Sequence, residues 1–278
     1  MRLGLGLGLD KNRILGGVAS YDYLLSGNGD AAVAYSLRAV NPDYSGALVL
    51  IRRSSDNAEK AFLKDANNIF SLSSEDGSGT SLATWIGSDN GFLKTIYDQS
   101  GNGNNATQTN ASLQNRIISA GVLELENSKV AANDTVGGNY NIATDVTLTG
   151  ADGYYIIGVY KNSNSQKILN KANNHIWPYN ASNIEYRENG STFYPSGLTT
   201  NNSSQTLFRF ARNQTNNVHF KMNLSEVTAA NTDSGKQLIF NDLFLCSGTK
   251  QEFIAFASNK FSDDTTLVSN VNTYYSIY

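Results

Sequence analysis

The sequence predicts an all-β fold, built as a sandwich of antiparallel strands. The 278 residues include 24 glycines but only 3 prolines, with 15 tyrosines and 12 phenylalanines. This composition suits many strands joined by polar turns. From Arg116 to Phe256 short apolar runs alternate with turns rich in Asn, Ser and Gly, which is the spacing of a sandwich. A chain of this length can bury a substantial core as one main domain.

The beginning of the chain does not fit this pattern, because leucine and glycine alternate from Leu3 to Leu9. Each glycine inside a helix costs about 1 kcal/mol relative to alanine, so an extended conformation is favoured. It places four leucines on one face: Leu3, Leu5, Leu7 and Leu9. We expect residues 1–29 to form an anchoring arm and linker, and residues 30–278 to form the sandwich domain. The arm is an edge strand of its own sheet, a flexible tail, or a segment that docks onto another subunit by strand addition.

Three short helices are expected around the sandwich. Asp30 fits the N-cap of a helix over residues 31–40, and Ser81 fits the N-cap of a second helix with the sequence LATWIG. A third, amphipathic helix is expected near the C-terminus in the sequence TTLVSNVNTYY. Its apolar residues recur at helical spacing: Leu267, Val268, Val271, Tyr274 and Tyr275.

The predicted strands are ALVLIRR, GFLKTIY, RIISAGVLEL, GYYIIGVY, KILNK, NIEYREN, TLFRFARN, NVHFKMNL, QLIFNDLFLC and EFIAFA. The second of these leads into an Asn/Gly turn that resembles the start of a calcium loop. Its oxygen-bearing residues are Asp98, Ser100 and Asn102, with Gly103 at the sixth position. The twelfth position is Thr109 instead of a bidentate glutamate, so a weak calcium loop and a hydrogen-bonded Asx turn are both open interpretations.

Charge and motif content exclude several classes of function. The formal net charge is −3, and no basic field exists that would hold a nucleic acid. No apolar window is long enough for a membrane span, and the start does not read as a signal peptide. His175 and His219 lack the ligand spacing of a zinc site, and no phosphate loop or nucleophile elbow is present. Apart from the calcium interpretation, we expect no metal and no cofactor.

Several segments resemble a known family. AYSLRAVNPDYSGALVLIRRSSDNAEKAF, FLKTIYDQSGNGNNATQ and RIISAGVLE resemble the amino-terminal part of the catalytic domain of fungal arabinofuranosidase B, a glycoside hydrolase. They are also similar to lectin-like modules of bacteriophage virion proteins, which often end in a helix resembling VNTYYSIY. The resemblance covers residues 31–124 and the last dozen residues, and it implies a concanavalin A-like (LamG-like) jelly roll. Because this fold hosts many activities, the resemblance implies the fold before the function.

No catalytic residue is carried over from the hydrolases, since this chain lacks the sequence surroundings of their two carboxylates and the cysteines for their disulfides. A glycosidase needs two carboxyl groups about 5 to 10 Å apart. The candidates are Glu124 with Glu126, which read as solvent-facing, and Glu185 with Glu188, which an odd spacing places on opposite faces of a strand. We expect a protein that is not an enzyme, with an arabinofuranosidase-type glycoside hydrolase as the alternative.

The region from Asn173 to Gly197 concentrates aromatic residues among Asn and Ser. Sugar-binding surfaces combine aromatic plates with amide and hydroxyl groups, so this region contains the candidate glycan-binding residues. They are Trp177, Tyr179, Asn180 and Tyr186. The alternative is that these aromatic side chains fill the sandwich core. Trp177 precedes Pro178 in what reads as a loop, which favours the surface for this residue.

Together these features predict a bacteriophage virion structural protein, such as a head or tail fibre, an appendage or a decoration protein. The arm would join other virion subunits in a homo-oligomer, and the lectin-like sandwich would contact a host surface glycan. The protein would be made in the host bacterial cytoplasm and then reside in the virion. A free-standing carbohydrate-binding module is a third interpretation.

Overall fold

Antiparallel strands are the main regular elements of the computed structural model, which describes residues 22–134, 137–162, 167–180, 183–195, 197–198, 204–213, 217–230, 236–243 and 248–278. The predicted arm residues Leu3, Leu5, Leu7 and Leu9 lie outside these ranges. The strands are β1 (Ala31–Ser36), β2 (Val49–Arg53), β3 (Glu59–Phe62), β4 (Gly91–Ile96), β5 (Ala106–Thr107), β6 (Arg116–Ser119), β7 (Val122–Leu123), β8 (Leu125–Glu126), β9 (Lys129–Val130), β10 (Ala132–Asp134), β11 (Tyr140–Thr149), β12 (Tyr154–Asn162), β13 (Leu169–Lys171), β14 (Asn174–Asn180), β15 (Asn183–Glu188), β16 (Ser191–Phe193), β17 (Thr206–Arg212), β18 (Asn217–Met222), β19 (Ser225–Ala230), β20 (Gln237–Leu243) and β21 (Gly248–Phe256). The α-helices are α1 (Leu82–Ile86) and α2 (Asp264–Tyr275), and 3₁₀ turns lie at Ala111–Leu113 and Phe261–Asp263.

Hydrogen bonds join 19 of the described strands into one antiparallel sheet that folds back on itself, while β8 and β9 form a separate ribbon. The first layer has the order β1-β21-β12-β17-β18-β19. The second layer has the order β3-β2-β4-β5-β11-β20-β13-β14-β15-β16. Strand β10 connects them, because it pairs with β21 in the first layer and with β6, which pairs with β4 in the second.

The main core lies between the two layers. Tyr35 and Phe253 enter it from the first layer, and Leu148 and Phe240 enter it from the second. All four side chains are fully buried. The rings of Phe240 and Phe253 meet edge to face, with their centroids 5.9 Å apart, and so join the layers directly.

Helix α2 covers the outer face of the first layer. Leu267 and Val271 of the helix pack on Ile254 and other apolar side chains of that face, forming a second apolar cluster. Leu24 and Leu25, which the predicted linker includes, are buried in the same cluster, so they pack with the sandwich domain. Neither helix of the described part is long and apolar enough to cross a membrane.

The all-β sandwich predicted from the sequence is confirmed, and so are two of the three helices. Ser81 caps α1 by accepting a hydrogen bond from the backbone N–H of Thr84 at 3.2 Å, and the C-terminal helix is α2. The helix expected over residues 31–40 is wrong, since residues 31–36 form β1. Val33 faces the main core and Ala34 faces the helix cluster. A strand that is buried on both faces does not alternate between apolar and polar residues, so its sequence is easily read as a helix.

Candidate functional site

A row of polar side chains crosses the outer face of the second layer. Residues that lie opposite each other in neighbouring antiparallel strands point to the same face of a sheet. The strand register aligns one polar residue from each of seven consecutive strands: Thr107 (β5), Asn141 (β11), Asp242 (β20), Asn170 (β13), His175 (β14), Arg187 (β15) and Thr192 (β16). We call these seven residues the polar row.

The period of two along each strand explains why the polar row faces outward. Neighbours of these residues in the sequence point into the main core, including Ile142, Leu169, Ile176 and Tyr186. Burying those side chains fixes the register of their strands, because a slip by one residue would expose them. The core thus positions the polar residues on the opposite face.

Hydrogen bonds within the polar row hold several of its side chains in place. Asp242 Oδ1 accepts the amide groups of Asn141 and of Asn139, the latter at 3.2 Å. Arg187 Nε donates to Thr192 Oγ1 at 3.0 Å. These contacts order the side chains before any ligand binds, which lowers the entropic cost of binding.

Trp177 lies beside the polar row, two residues after His175 and directly opposite Glu185. The Trp177 ring is partly exposed and meets the His175 ring edge to face, with centroids 6.3 Å apart. His175 Nε2 lies 3.0 Å from Glu185 Oε1. These three residues form an aromatic and polar block on the outer face.

Burial lowers the pKa of His175, and the hydrogen bond from its ring to Glu185 only partly opposes this effect. His175 is therefore neutral near pH 7. Since an ionised carboxylate only accepts hydrogen bonds, Nε2 carries the proton and donates to Glu185. Nδ1 is then an acceptor, and it is buried without a hydrogen-bond partner among the described residues.

The predicted glycan-binding residues lie in different environments in the structure. Trp177 is on the outer face as predicted, but it belongs to β14 and not to a loop. Tyr186 is a correction: it is fully buried, its hydroxyl lies 2.5 Å from the Tyr154 hydroxyl, and its ring centroid is 4.7 Å from that of Phe210. It fills the core and offers no surface for a sugar. The side chains of Tyr179 and Asn180 lie outside the described part of the chain.

The two carboxylates of β15 point to opposite faces, as their odd spacing predicts. Glu188 is fully buried in the core, where it accepts a hydrogen bond from the Tyr154 hydroxyl at 3.1 Å and pairs with Arg212. Burial raises the pKa of Glu188 against the effect of Arg212. Glu185 and Glu188 therefore cannot act together on one substrate.

The other candidate carboxylates are also in ion pairs. Glu124 Oε1 lies 2.6 Å from Arg116 Nε, and Glu126 Oε2 lies 3.2 Å from Lys161 Nζ. Only 19% of each glutamate side chain is exposed, so both face solvent less than the sequence predicted and are held by their cationic partners.

The Asp98 turn is held together by protein donors. Asp98 Oδ1 accepts the backbone N–H groups of Ala34 at 2.8 Å and Ser100 at 2.9 Å. Asp98 Oδ2 accepts Ser100 Oγ at 2.8 Å and the backbone N–H of Asn104 at 3.0 Å. Asn102 donates its amide to the carbonyl of Ala31 at 3.0 Å. This geometry supports the Asx-turn interpretation over the calcium loop, because four donors already occupy the carboxylate and the turn anchors β1.

A cavity of about 560 Å³ lies beside α2, lined in part by Arg38, Lys129 and Tyr274. Arg38 is buried and paired with Glu252 at 2.8 Å, and the Lys129 ammonium lies 4.3 Å from the centroid of the Tyr274 ring.

No group of three or more His, Cys, Asp or Glu side chains that could hold a metal ion occurs in the described ranges.

Comparison with solved structures identifies the architecture. A GH54 α-L-arabinofuranosidase solved with a cyclic sulfate inhibitor superimposes with a TM-score of 0.61 over 92% of this chain, at 18% sequence identity. This chain has the arabinofuranosidase fold. A second arabinofuranosidase, complexed with arabinofuranosyl-α-1,2-xylobiose, gives a TM-score of 0.58 at 18% identity, again over 92% of this chain. The resemblance to arabinofuranosidase in the sequence is thus confirmed at the level of the fold.

The match does not extend over the whole of these enzymes, since this chain covers 65% of the first and 64% of the second. The binding domain of Paraclostridial Mosquitocidal Protein 1 is more distant, with a TM-score of 0.44 and 11% identity over 64% of this chain and 49% of that one. No protein-family model matches this chain. No curated protein matches it either.

The sequence pattern indicates Trp177 but not the polar row. The local signal was present, because Asn141, Asn170, His175 and Asp242 each adjoin a residue that is buried in the core. The alignment of these residues depends on pairing between distant segments, and the sequence alone does not state that register.

Proposed function

We propose that this chain is a non-catalytic, lectin-like virion structural protein that contacts a surface glycan through Trp177 and the polar row. The observation that carries the proposal is a partly exposed tryptophan beside an ordered line of amide, carboxylate and guanidinium groups on one face of a sandwich. An indole face binds the apolar face of a sugar ring, while the polar groups exchange hydrogen bonds with its hydroxyls.

The spacing between Asp242 and Glu185 supports a binding role over catalysis by this pair. Asp242 and Glu185 share the outer face but lie three strands apart, which corresponds to about 14 Å at the usual strand separation. That separation exceeds the roughly 10 Å upper limit for the two carboxyl groups of a glycosidase. Glu185 is also bonded to His175, which favours a positioning role for this carboxylate.

The virion role rests on the sequence. The alternating leucines of the arm suit burial in another subunit, and the resemblance to bacteriophage modules supports assembly as a homo-oligomer on a particle. Repeated copies on a symmetric particle would strengthen a weak glycan contact through avidity. We accordingly propose that the protein resides in the virion and is made in the host bacterial cytoplasm.

An array of surface oligosaccharides tests the binding role. The full chain should bind a subset of the glycans, and Trp177→Ala should lower that binding about fivefold or more, since stacking on an aromatic ring contributes on the order of 1 kcal/mol or more. Tyr278→Ala is the matched control, because it removes an exposed aromatic side chain at the C-terminus and away from the polar row. Binding that is unchanged in Trp177→Ala, or no binding to any glycan, would contradict the proposal.

Hydrolysis of 4-nitrophenyl α-L-arabinofuranoside tests the glycoside hydrolase alternative, since an arabinofuranosidase with the same fold has been solved with this compound. We expect no release of 4-nitrophenol above the buffer rate. Release that depends on the protein and is lost in Asp242→Asn would establish the enzyme instead.

A further inference from the structure

We infer that the polar row binds a linear, neutral oligosaccharide lengthwise, through two separate groups of side chains that one ligand contacts at the same time. The inference rests on the proposed function and specifies the class of glycan. It depends on the strand register, on which polar atoms have no partner among the described residues, and on the balance of charge across the outer face.

The first group consists of Asn141 and Asp242. Both amide contacts described above are accepted by Asp242 Oδ1, whereas Oδ2 accepts no hydrogen bond from the described residues. Asn141 is exposed, and its Oδ1 likewise accepts no hydrogen bond from that part of the chain. This end of the polar row therefore presents two ordered acceptors to a ligand that carries hydroxyl groups.

The second group consists of Arg187 and Trp177. Arg187 uses Nε for Thr192, while its two Nη groups make no hydrogen bond to any other described residue. Arg187 lies opposite His175, and Trp177 is two residues further along the same strand face. This end therefore presents donors next to an aromatic plate.

The two groups lie too far apart for one sugar ring. Asp242 and Arg187 are separated by β13 and β14, three strand spacings in all, or about 14 Å. Asn170 lies between them, and its side chain is partly exposed. Lys167 Nζ donates a hydrogen bond to Asn170 Oδ1 at 2.9 Å, which orders this side chain. A monosaccharide reaches one group at a time, whereas a chain of about three or more sugar units laid across the strands reaches both.

The charges on this face favour a neutral ligand. Asp242 and Glu185 contribute two carboxylates, Lys167 and Arg187 contribute two cations, and burial keeps His175 neutral. The adjoining ion pair of Asp145 and Lys171 adds one charge of each sign. The charges cancel, so the face has neither the excess of cations that attracts a polyanionic glycan nor the excess of anions that attracts a cationic one.

A length series of neutral, linear oligosaccharides tests the inference. Xylo-, arabino- and cello-oligosaccharides of one to six units are titrated into the full chain by calorimetry. We expect affinity to rise about tenfold or more between the monosaccharide and the first length that spans both groups, and then to level off, because no further contacts are gained. Affinity that does not depend on length would overturn the inference while leaving the proposed function in place.

Two conservative variants separate the groups. Asp242→Asn and Arg187→Gln should each weaken the longest ligand about tenfold, whereas the monosaccharide should respond to only one of them. Asp152→Asn, at an exposed carboxylate in the turn after β11, is the matched control and should change neither. Melting curves for all variants verify folding. If both variants bind the longest ligand with unchanged affinity, the inference is wrong. The inference is also wrong if no oligosaccharide in the series binds. The proposed function is overturned separately, by a glycan array on which the unmodified chain binds nothing.

Discussion

At the scale of single residues, His175 has the least usual environment in the site. Only 4% of its surface is exposed, its Nε2 atom faces Glu185, and two cationic side chains, Lys167 and Arg187, lower its pKa further. A buried acceptor without a partner typically costs about 1 to 3 kcal/mol. The site therefore retains a locally unfavourable group, which is a common property of functional sites.

The lowered pKa of His175 predicts a specific dependence of stability on pH. In the unfolded chain the imidazole has its ordinary pKa of about 6.5, whereas in the folded chain its pKa is lower, so it is protonated only at a lower pH. As pH falls below about 6.5, the unfolded state binds more protons than the folded state, so the free energy of unfolding decreases. Above that pH His175 contributes no slope.

Urea denaturation of the unmodified chain and of His175→Gln at pH 7.5 and pH 5.5 measures this effect. We expect the stability of the unmodified chain relative to the variant to shrink at the lower pH, because only the unmodified chain loses the contribution of the neutral imidazole. The other titratable groups are common to both proteins, so their contributions cancel in the comparison. A difference that stays constant or grows at pH 5.5 would contradict the assignment.

At the scale of elements, β12 shows how closely the strands pack in the first layer. Gly158 lies opposite Phe208 of β17 and Phe253 of β21, and the centroids of these two rings are 6.2 Å apart. A Cβ atom on Gly158 would lie 2.4 Å from a ring carbon of Phe208 and 2.7 Å from the carbonyl oxygen of Glu252. Glycine at this position lets both rings enter the core.

Gly158→Ala should therefore lower the free energy of unfolding by about 1 to 3 kcal/mol, since the added methyl group forces neighbouring atoms to move. Chemical denaturation measures the change. Gly77→Ala is the matched control, because Gly77 is exposed and a Cβ atom there would meet no atom within 4 Å. Equal stability of the two variants would show that the layer accommodates the extra volume.

Other elements show why some strands were predictable and others were not. The dense apolar runs of β12, β17 and β21 were identified from the sequence. In β11 the buried residues Ile142, Val146 and Leu148 are interrupted by a shift in register, so no regular alternation is visible. In β14 a proline suggested a loop, but Pro178 lies at an irregularity of the strand, where a missing N–H is tolerated.

At the scale of the whole molecule, the sandwich and its C-terminal helix follow from composition and local pattern, whereas the site depends on contacts between distant segments. The polar row joins residues from Thr107 to Asp242, and the sequence gives no direct information on which strand lies beside which. Tyr186 was misplaced for a related reason, because an aromatic residue in an alternating strand reads the same whether its face is the core or the surface.

The proposed assembly also belongs to this scale. The full chain should form a discrete oligomer, and Leu5→Asp with Leu7→Asp should shift it to a monomer, because charged side chains cannot be buried in a neighbouring subunit without a partner. Light scattering coupled to size-exclusion chromatography measures the mass. The control for folding is a melting curve of the double variant that matches the curve of the unsubstituted chain. A monomeric full chain would contradict the assembly role of the arm.

The position of β21 in the chain has a consequence for synthesis. This strand pairs with β1, β10 and β12, yet it is made after all three of them and after every other described strand. Until the ribosome releases residues 248–256, the edges of β1 and β12 that β21 will cover remain unpaired and open to other nascent chains. Premature termination shortly before this strand should yield products that aggregate, whereas a polypeptide that includes residues 248–256 can close the sheet.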